Sequence, residues 1–131
     1  MLELGLGNGR TYDHLREICA KREIYVFDRQ VNAHPDCVPA ADHLFLGEIL
    51  ETLPQALKRL GPGAALVHTD VGTGDQAANT RLAASLAPLI RSIMRPGGVV
   101  ISDQEMRAPG LTSMPLPPGV KPGRYFINRA A

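Results

Sequence analysis

Three glycines follow the first apolar run of this chain at intervals of two residues, and a helical pattern begins directly after them. The run covers residues 2–4, and the glycines are Gly5, Gly7 and Gly9. Glycine permits a tight turn and a close approach of the backbone to a ligand. Amide groups at the start of a helix then face that ligand. The chain therefore begins as a strand, a ligand-binding turn and a helix.

The pattern after this turn alternates short apolar runs with longer helical periodicity, which is typical of an α/β fold with a parallel sheet. We predict a Rossmann-like, doubly wound, mostly parallel sheet in one domain over residues 1–131, with helices on both faces. Pro54 predicts a break or kink in the second helix. No helix fits before the last strand, so that strand should run antiparallel. The predicted strands cover residues 2–5, 23–28, 43–46, 64–68, 99–102 and 124–128, and the predicted helices cover residues 11–21, 48–60 and 76–94.

Composition narrows the class of protein. The formal net charge of the 131 residues is +1, and no basic block forms an electrostatic footprint for nucleic acid. No apolar run approaches the roughly 18 residues that a membrane span needs, and residues 1–9 do not resemble a signal peptide. Cys19 and Cys37 have no metal-type spacing and are expected to be free thiols. We expect a cytoplasmic protein without membrane or nucleic-acid partners.

The glycine spacing separates two classes of nucleotide-binding protein. A dinucleotide fingerprint has the pattern G-x-G-x-x-G. Counted from Gly5 and Gly7, its third glycine would fall on Arg10. This position disfavours a nicotinamide-dependent oxidoreductase, which stays as an alternative.

The string from Glu3 to Gly9 resembles motif I of class I S-adenosylmethionine (SAM) dependent methyltransferases, and further features follow in the order found in that family. An acid ends the second strand, Gly47 and Glu48 end the third, Asp70 ends the fourth, and an R-P-G-G turn at residues 95–98 precedes the fifth. The resemblance implies SAM as cofactor. It implies cofactor contacts from Glu3, Gly5, Gly7, Asn8, Gly9, Asp28, Arg29, Gly47, Glu48 and Asp70.

Methyl transfer needs orientation of the acceptor and, for a hydroxyl or ammonium, a base. His68 and Asp70 alternate at the end of the fourth strand, where ligands of open α/β sheets bind. We expect these two residues to be catalytic. Asp70 and the pair Asp103-Gln104 resemble the magnesium ligands of catechol-type enzymes, but Gln in place of Asn displaces the carbonyl. We therefore expect no metal.

The acceptor is expected to be a small molecule, because Asp70 is not followed by the P-P-[YF] of enzymes that methylate amino groups in DNA. A SAM-binding module without catalysis is the other alternative. The sequence starts at the first strand, so we expect the helical cover that the family has before this strand either to precede that start or to be supplied by a neighbouring subunit. The last strand pair of the family is expected to be reduced to one strand. We expect these differences to leave apolar surface that a homo-oligomer covers. The proline-rich loop over residues 109–123 is expected to cover the acceptor.

Overall fold

One seven-stranded sheet forms the centre of the protein. The computed structural model describes all 131 residues. The strands lie in the order β3-β2-β1-β4-β5-β7-β6, and β1 to β5 are parallel neighbours. This order confirms the doubly wound, mostly parallel sheet. The strands are β1 (Leu2–Leu4), β2 (Tyr25–Asp28), β3 (Leu44–Leu46), β4 (Ala64–Thr69), β5 (Met94–Ser102), β6 (Leu111–Met114) and β7 (Phe126–Ala130).

Three helices connect the parallel strands. They are α1 (Arg10–Ile18), α2 (Ile49–Leu60) and α3 (Gln76–Ile93). Helix α3 begins after Asp75 because its carboxylate accepts a hydrogen bond from the Ala78 amide, at 3.0 Å, as an N-cap does. Helix α2 ends before Gly61, which has a positive φ of 72°. No helix combines the length and the apolar character needed to cross a membrane.

Of the break or kink predicted at Pro54, the break is not present, because α2 continues through this residue, and the kink stays a prediction. Proline in a helix removes one backbone donor, here the one that would serve the carbonyl of Leu50. Both Pro54 and Leu50 lie on the exposed side of α2. Water can therefore replace the missing donor, and the opposite side of α2 stays packed on the sheet.

The sheet carries helices on both faces, as predicted. On one face, Leu4, Val67 and Val100 of the central strands join α2 and α3 in the main apolar core. On the other face, Tyr12 of α1 packs in a smaller cluster that includes Val26 of β2. Burial of such side chains contributes about 1.5–3 kcal/mol each. This packing holds the ends of β1 to β5 at one edge of the sheet, which we call the carboxyl edge.

The C-terminal part of the sheet differs in one respect from the prediction. Strand β7 is antiparallel to β5, as expected. The prediction of a single last strand is wrong, because β6 (Leu111–Met114) forms inside the proline-rich loop and pairs with β7. Its four residues show no alternation, and β6 has one partner only, at the edge of the sheet. Since β6 is antiparallel to β7, it ends at the carboxyl edge, and residues 115–125 connect the two strands there.

Candidate active site

The residues that the sequence places at strand ends come together at the carboxyl edge. The turn over residues 5–9 joins β1 to α1, and Asp28 ends β2. Gly47 follows β3, and Asp70 follows β4. Because β1 to β4 are parallel neighbours, all four positions open on the same side. Ligands of open α/β sheets bind at this side.

The first glycine of the turn is required by packing within the chain. Gly5 has a φ of 98°, a conformation that side chains other than glycine rarely adopt. A Cβ atom at this position would lie 2.5 Å from the carbonyl oxygen of Asp70. The amide of Gly5 also donates to the Phe27 carbonyl, at 2.8 Å. Gly5 therefore allows β1, β2 and β4 to approach one another at their ends.

The other two glycines have different surroundings. Gly9 has a φ of 84°, and a Cβ atom there would lie 2.6 Å from the Cβ of Cys37. The side chain of Asn8 accepts a hydrogen bond from the Arg10 amide, at 3.1 Å. Gly7 has a φ of 54°, and a Cβ atom there would meet no atom within 4 Å. Among the three glycines, Gly7 is the one that faces open space at the carboxyl edge.

Asp28 holds the glycine turn against the end of β2. Its Oδ2 atom accepts hydrogen bonds from the amides of Leu6, at 3.0 Å, and Gly7, at 3.2 Å. Its Oδ1 atom accepts from the Arg29 amide, at 2.7 Å. A carboxylate offers about four acceptor positions. Three backbone donors leave room for a further donor from a ligand, so Asp28 positions the turn and stays available.

Arg29, Gly47 and Glu48 line the outer end of this edge. The Gly47 amide donates to the Asp28 carbonyl, at 3.0 Å, and connects β3 to β2. The guanidinium of Arg29 and the carboxylate of Glu48 are 3.9 Å apart, with 72% and 65% of their side chains exposed. An exposed ion pair of this kind contributes little to stability. Both side chains are therefore free to turn toward a ligand.

Glu3 and His68 form a pair that the sequence does not predict. They are register partners on β1 and β4. Nδ1 of His68 lies 2.9 Å and 3.0 Å from the two carboxylate oxygens of Glu3. Glu3 is only 1% exposed. The one signal in the sequence was a polar residue at an inner position of each of two apolar strands.

Burial and contact shift the ionisation of this pair. Burial raises the pKa of the Glu3 carboxyl, and the hydrogen bond from His68 acts in the opposite direction. The hydrogen bond to Glu3 raises the pKa of His68 against the effect of burial, and the charges of Glu3, Asp70 and Asp103 raise it further. Both pKa values move upward, so the pair retains a proton to higher pH than separate side chains would.

Asp70 and Asp103 follow the neighbouring strands β4 and β5. The Asp70 carboxylate is exposed and makes no hydrogen bond within the chain. Oδ2 of Asp103 accepts from the amide of Gly72, at 2.9 Å, and from the side chain of Gln104, at 3.3 Å. Oδ1 of Asp103 is buried without a hydrogen-bond partner. Such an oxygen is costly unless a further donor reaches it.

Two adjoining clefts lie beside the segment that follows β5. The first has a volume of about 490 Å³ and extends from Asp103 and Gln104 to the start of α3. The second has a volume of about 560 Å³ and extends along β6 and β7. Glu105, Arg107 and Phe126 line both clefts. Volumes of this size accommodate small molecules.

Comparison with known protein families agrees with the geometry of the site. The profile of the S-adenosyl-L-methionine methyltransferase family matches residues 1–130. This chain belongs to that family. A methyltransferase activity with SAM as its cofactor follows, and the nicotinamide-dependent and non-catalytic alternatives are set aside. No curated protein sequence matches the chain significantly.

Solved structures agree with this assignment. The chain is 49% identical to an S-adenosyl-L-methionine methyltransferase from Silicibacter pomeroyi, with a TM-score of 0.94 over 99% of this chain and 80% of that protein. The antibiotic-resistance methyltransferase Kmr is 14% identical, with a TM-score of 0.62 over 98% of this chain and 84% of that one. A variant of the 16S rRNA (adenine(1408)-N(1))-methyltransferase from Catenulisporales acidiphilia is 16% identical, with a TM-score of 0.60 over 98% and 83%. The last two share the fold of this methyltransferase.

Proposed function

We propose that residues 1–131 form one catalytic domain that transfers a methyl group from SAM to a small-molecule acceptor. The observation that carries this proposal is the cleft of about 490 Å³ that is lined by Asp103 and Gln104, directly after β5 at the carboxyl edge. The formal net charge of +1 supports it further, since enzymes that bind nucleic acid carry clustered basic charge. The acceptor would bind beyond the ends of β4 and β5, beside Asp70 and Asp103.

The cofactor would bind across the ends of β1, β2 and β3. Gly7 leaves the space, the carboxylate of Asp28 accepts from ribose hydroxyls, and Gly47 and Glu48 lie where the adenine would be. When bound, SAM supplies an electrophilic methyl group on a sulfonium, so the protein chiefly provides orientation and electrostatics. Gly5, Gly9 and Asn8 shape the turn through contacts within the chain. Arg29, at the outer end of this edge, is available to contact the cofactor.

We assign the catalytic roles to His68 and Asp70. Asp70 is exposed at the end of β4 and has no partner within the chain, so its negative charge is available to a cationic cofactor or acceptor. Nε2 of His68 makes no hydrogen bond within the chain, and 18% of the side chain is exposed. This nitrogen is suited to accept a proton from the acceptor.

The test is a turnover assay in which conversion of SAM to S-adenosylhomocysteine is measured with a panel of metabolites and with purified 16S rRNA. We expect turnover with a member of the metabolite panel and none with rRNA. Asp70→Asn should lower kcat, while Glu51→Gln, an exposed acid on α2, should not. Turnover on rRNA alone would contradict the small-molecule assignment. The rRNA arm is included because a protein of the same fold has this substrate.

We also propose that the protein is a homo-oligomer. The presence of β6 removes one argument for this state, a reduced C-terminal sheet. The other argument, an exposed face of the first strand, is wrong, because β1 is buried throughout. A different observation supports the proposal: α2 and α3 pack on one face of the sheet, while four apolar side chains of β4, β5 and β7 are half-exposed on the other, namely Leu66, Val99, Ile101 and Ile127. Light scattering should give a mass above the 14.1 kDa of one chain. A monomer at micromolar concentration would contradict this proposal.

We place the protein in the cytoplasm, because Cys19 and Cys37 are both free. Free thiols are typical of a reducing compartment. Fractionation of the native cells with an antibody against the protein tests this placement, and recovery outside the cytoplasm would contradict it.

A further inference from the structure

The loop over residues 70–75 joins β4 to α3 at the carboxyl edge and carries Asp70 together with two glycines. Val71 is half-buried, and the other five residues of the loop are exposed. Apolar packing therefore contributes little to holding this loop, and a segment with few buried contacts opens readily. Since the Asp70 carboxylate has no partner within the chain, its position depends on the bonds that hold the loop.

Asn79 of α3 holds the middle of this loop. Its Oδ1 atom accepts hydrogen bonds from the amide of Thr73, at 2.8 Å, and from the hydroxyl of Thr73, at 3.1 Å. Its Nδ2 atom donates to the Thr73 carbonyl, at 2.7 Å. Asn79 is only 5% exposed and lies within a helix, where asparagine is unfavourable. All three bonds go to one loop residue, so holding the loop explains an asparagine here better than helix stability does.

Asp103 holds the same loop from the side of β5. Its Oδ2 atom accepts from the amide of Gly72, at 2.9 Å. A Cβ atom at Gly72 would overlap with this oxygen, so the contact requires glycine. The amide of Asp70 donates to the Leu4 carbonyl, at 3.0 Å. Residues 70, 72 and 73 are thus bonded to three different elements, which are β1, the segment after β5, and α3.

We propose that Asn79 and Asp103 are positioning residues, which fix the loop over residues 70–75 so that the carboxylate of Asp70 stays beside the sulfonium of SAM. This inference rests on the proposed function. A charge that is held in place before the reaction acts on its partner without a cost of reordering at that moment. In a mobile loop, the same carboxylate would spend much of its time in solvent, where its attraction for a cation is weak.

The experiment compares two ligands and needs no known acceptor. SAM is cationic at sulfur and S-adenosylhomocysteine is neutral there, so the ratio of their affinities reports the negative charge that is held near sulfur. Calorimetry gives both Kd values. Asn79→Ala should weaken SAM at least about threefold and S-adenosylhomocysteine less than about twofold, as expected for a partly exposed charge pair. Hydrogen exchange measured by NMR should be faster at the Thr73 amide of the variant, because its acceptor has been removed.

Three controls separate positioning from stability. Ala87→Gly changes a buried residue later in α3, so it should lower the melting temperature and leave the affinity ratio unchanged. In a protein that carries Asp70→Asn, Asn79→Ala should not change the ratio further, because the side chain that it positions has lost its charge. Asp103→Asn keeps an oxygen for the amide of Gly72 and should retain the ratio, whereas Asp103→Ala should lower it.

Equal losses for both ligands, or a lower melting temperature with an unchanged ratio, would make Asn79 structural and overturn the inference. An equal fall for Asp103→Asn and Asp103→Ala would assign the effect to the charge of Asp103 and not to its bond with Gly72. An unchanged ratio in Asp70→Asn, or failure of both ligands to bind, would contradict the proposed function itself. If Asn79→Ala does not fold, Thr73→Val removes the hydroxyl, keeps the backbone bonds and should lower the ratio in the same direction.

Discussion

The two halves of the carboxyl edge are built by different means. In the half formed by β1, β2 and β3, backbone amides form the contacts: those of Leu6 and Gly7 donate hydrogen bonds to one carboxylate oxygen of Asp28. In the half formed by β4 and β5, one contact is of the same kind, from the amide of Gly72 to Asp103. The other contact joins two side chains, those of His68 and Glu3, which are 65 residues apart in the sequence.

This difference has a functional consequence. Backbone geometry depends on local residue types, so a cofactor that is the same throughout a family can be bound by a short motif. Side-chain contacts across strands can be exchanged without altering the turn, which suits the half where we place the acceptor. Mutations in the first half should therefore change affinity for SAM, and mutations in the second half should change turnover.

The largest effect is expected from the glycines of the turn. Gly5→Ala places a Cβ atom 2.5 Å from the carbonyl oxygen of Asp70, so it should lower the free energy of unfolding by about 2–5 kcal/mol, from left-handed strain and overpacking together. Gly7→Ala should lower the free energy of unfolding by only about 1–2 kcal/mol, because it introduces left-handed strain without overpacking. Denaturant unfolding measures both. Equal losses would contradict the different packing of these two glycines.

A larger side chain at Gly7 should act on the cofactor. Gly7→Val directs a branched group into the open space at the carboxyl edge, so calorimetry should show loss of S-adenosylhomocysteine binding in a protein that still folds. Unchanged affinity in the folded variant would contradict the placement of the cofactor beside Gly7.

A substitution of Asp28 should have a smaller effect on cofactor binding in the same half of the carboxyl edge. Asp28→Ala removes a charged acceptor, and affinity for SAM should fall by about 1.5–3 kcal/mol. The melting temperature should fall too, because the amides of Leu6 and Gly7 lose their partner. Glu17→Ala removes an exposed acid of α1 and serves as control. A lower melting temperature with unchanged affinity would reduce Asp28 to a structural role.

Shortening the connection over residues 115–125 tests the half of the carboxyl edge where we place the acceptor. We still expect it to cover the acceptor, although β6 (Leu111–Met114) belongs to the sheet and must be kept. Gly123 lines the same cleft as Asp103. Replacing residues 116–121 by a short glycine linker should lower turnover several-fold, while affinity for SAM stays near wild type. Equal losses of both, or no loss, would contradict a cover role.

The smallest effect is a pH dependence of stability. The contact with Glu3 raises the pKa of His68 in the folded protein above its ordinary value of 6.5. Stability from this group is then fully present below pH 6.5 and is lost as pH rises through the raised pKa. The melting temperature should fall by about a few degrees over this interval. The melting temperature of the His68→Gln variant should fall less over the same interval. An equal dependence of melting temperature on pH in both proteins would contradict the raised pKa of His68.

Local patterns in the sequence predict the chain order of β1 to β5 and of the three helices, the glycine turn and the acid at the end of β2. These features depend on neighbours within a few residues, through backbone conformation, capping and the period of the apolar pattern. The antiparallel direction of β7 also followed, because no helix was available for a parallel crossover.

Contacts across the sheet, in contrast, depend on how whole elements pack. Strand β6 exists because β7 supplies its hydrogen bonds, not because its four residues favour a strand. The pairing of Glu3 with His68 depends on the register of β1 against β4, and that register is set by the burial of Leu2, Leu4 and Val67 on the opposite face. Contacts between residues far apart in the chain arise from packing of whole elements, so local pattern cannot specify them.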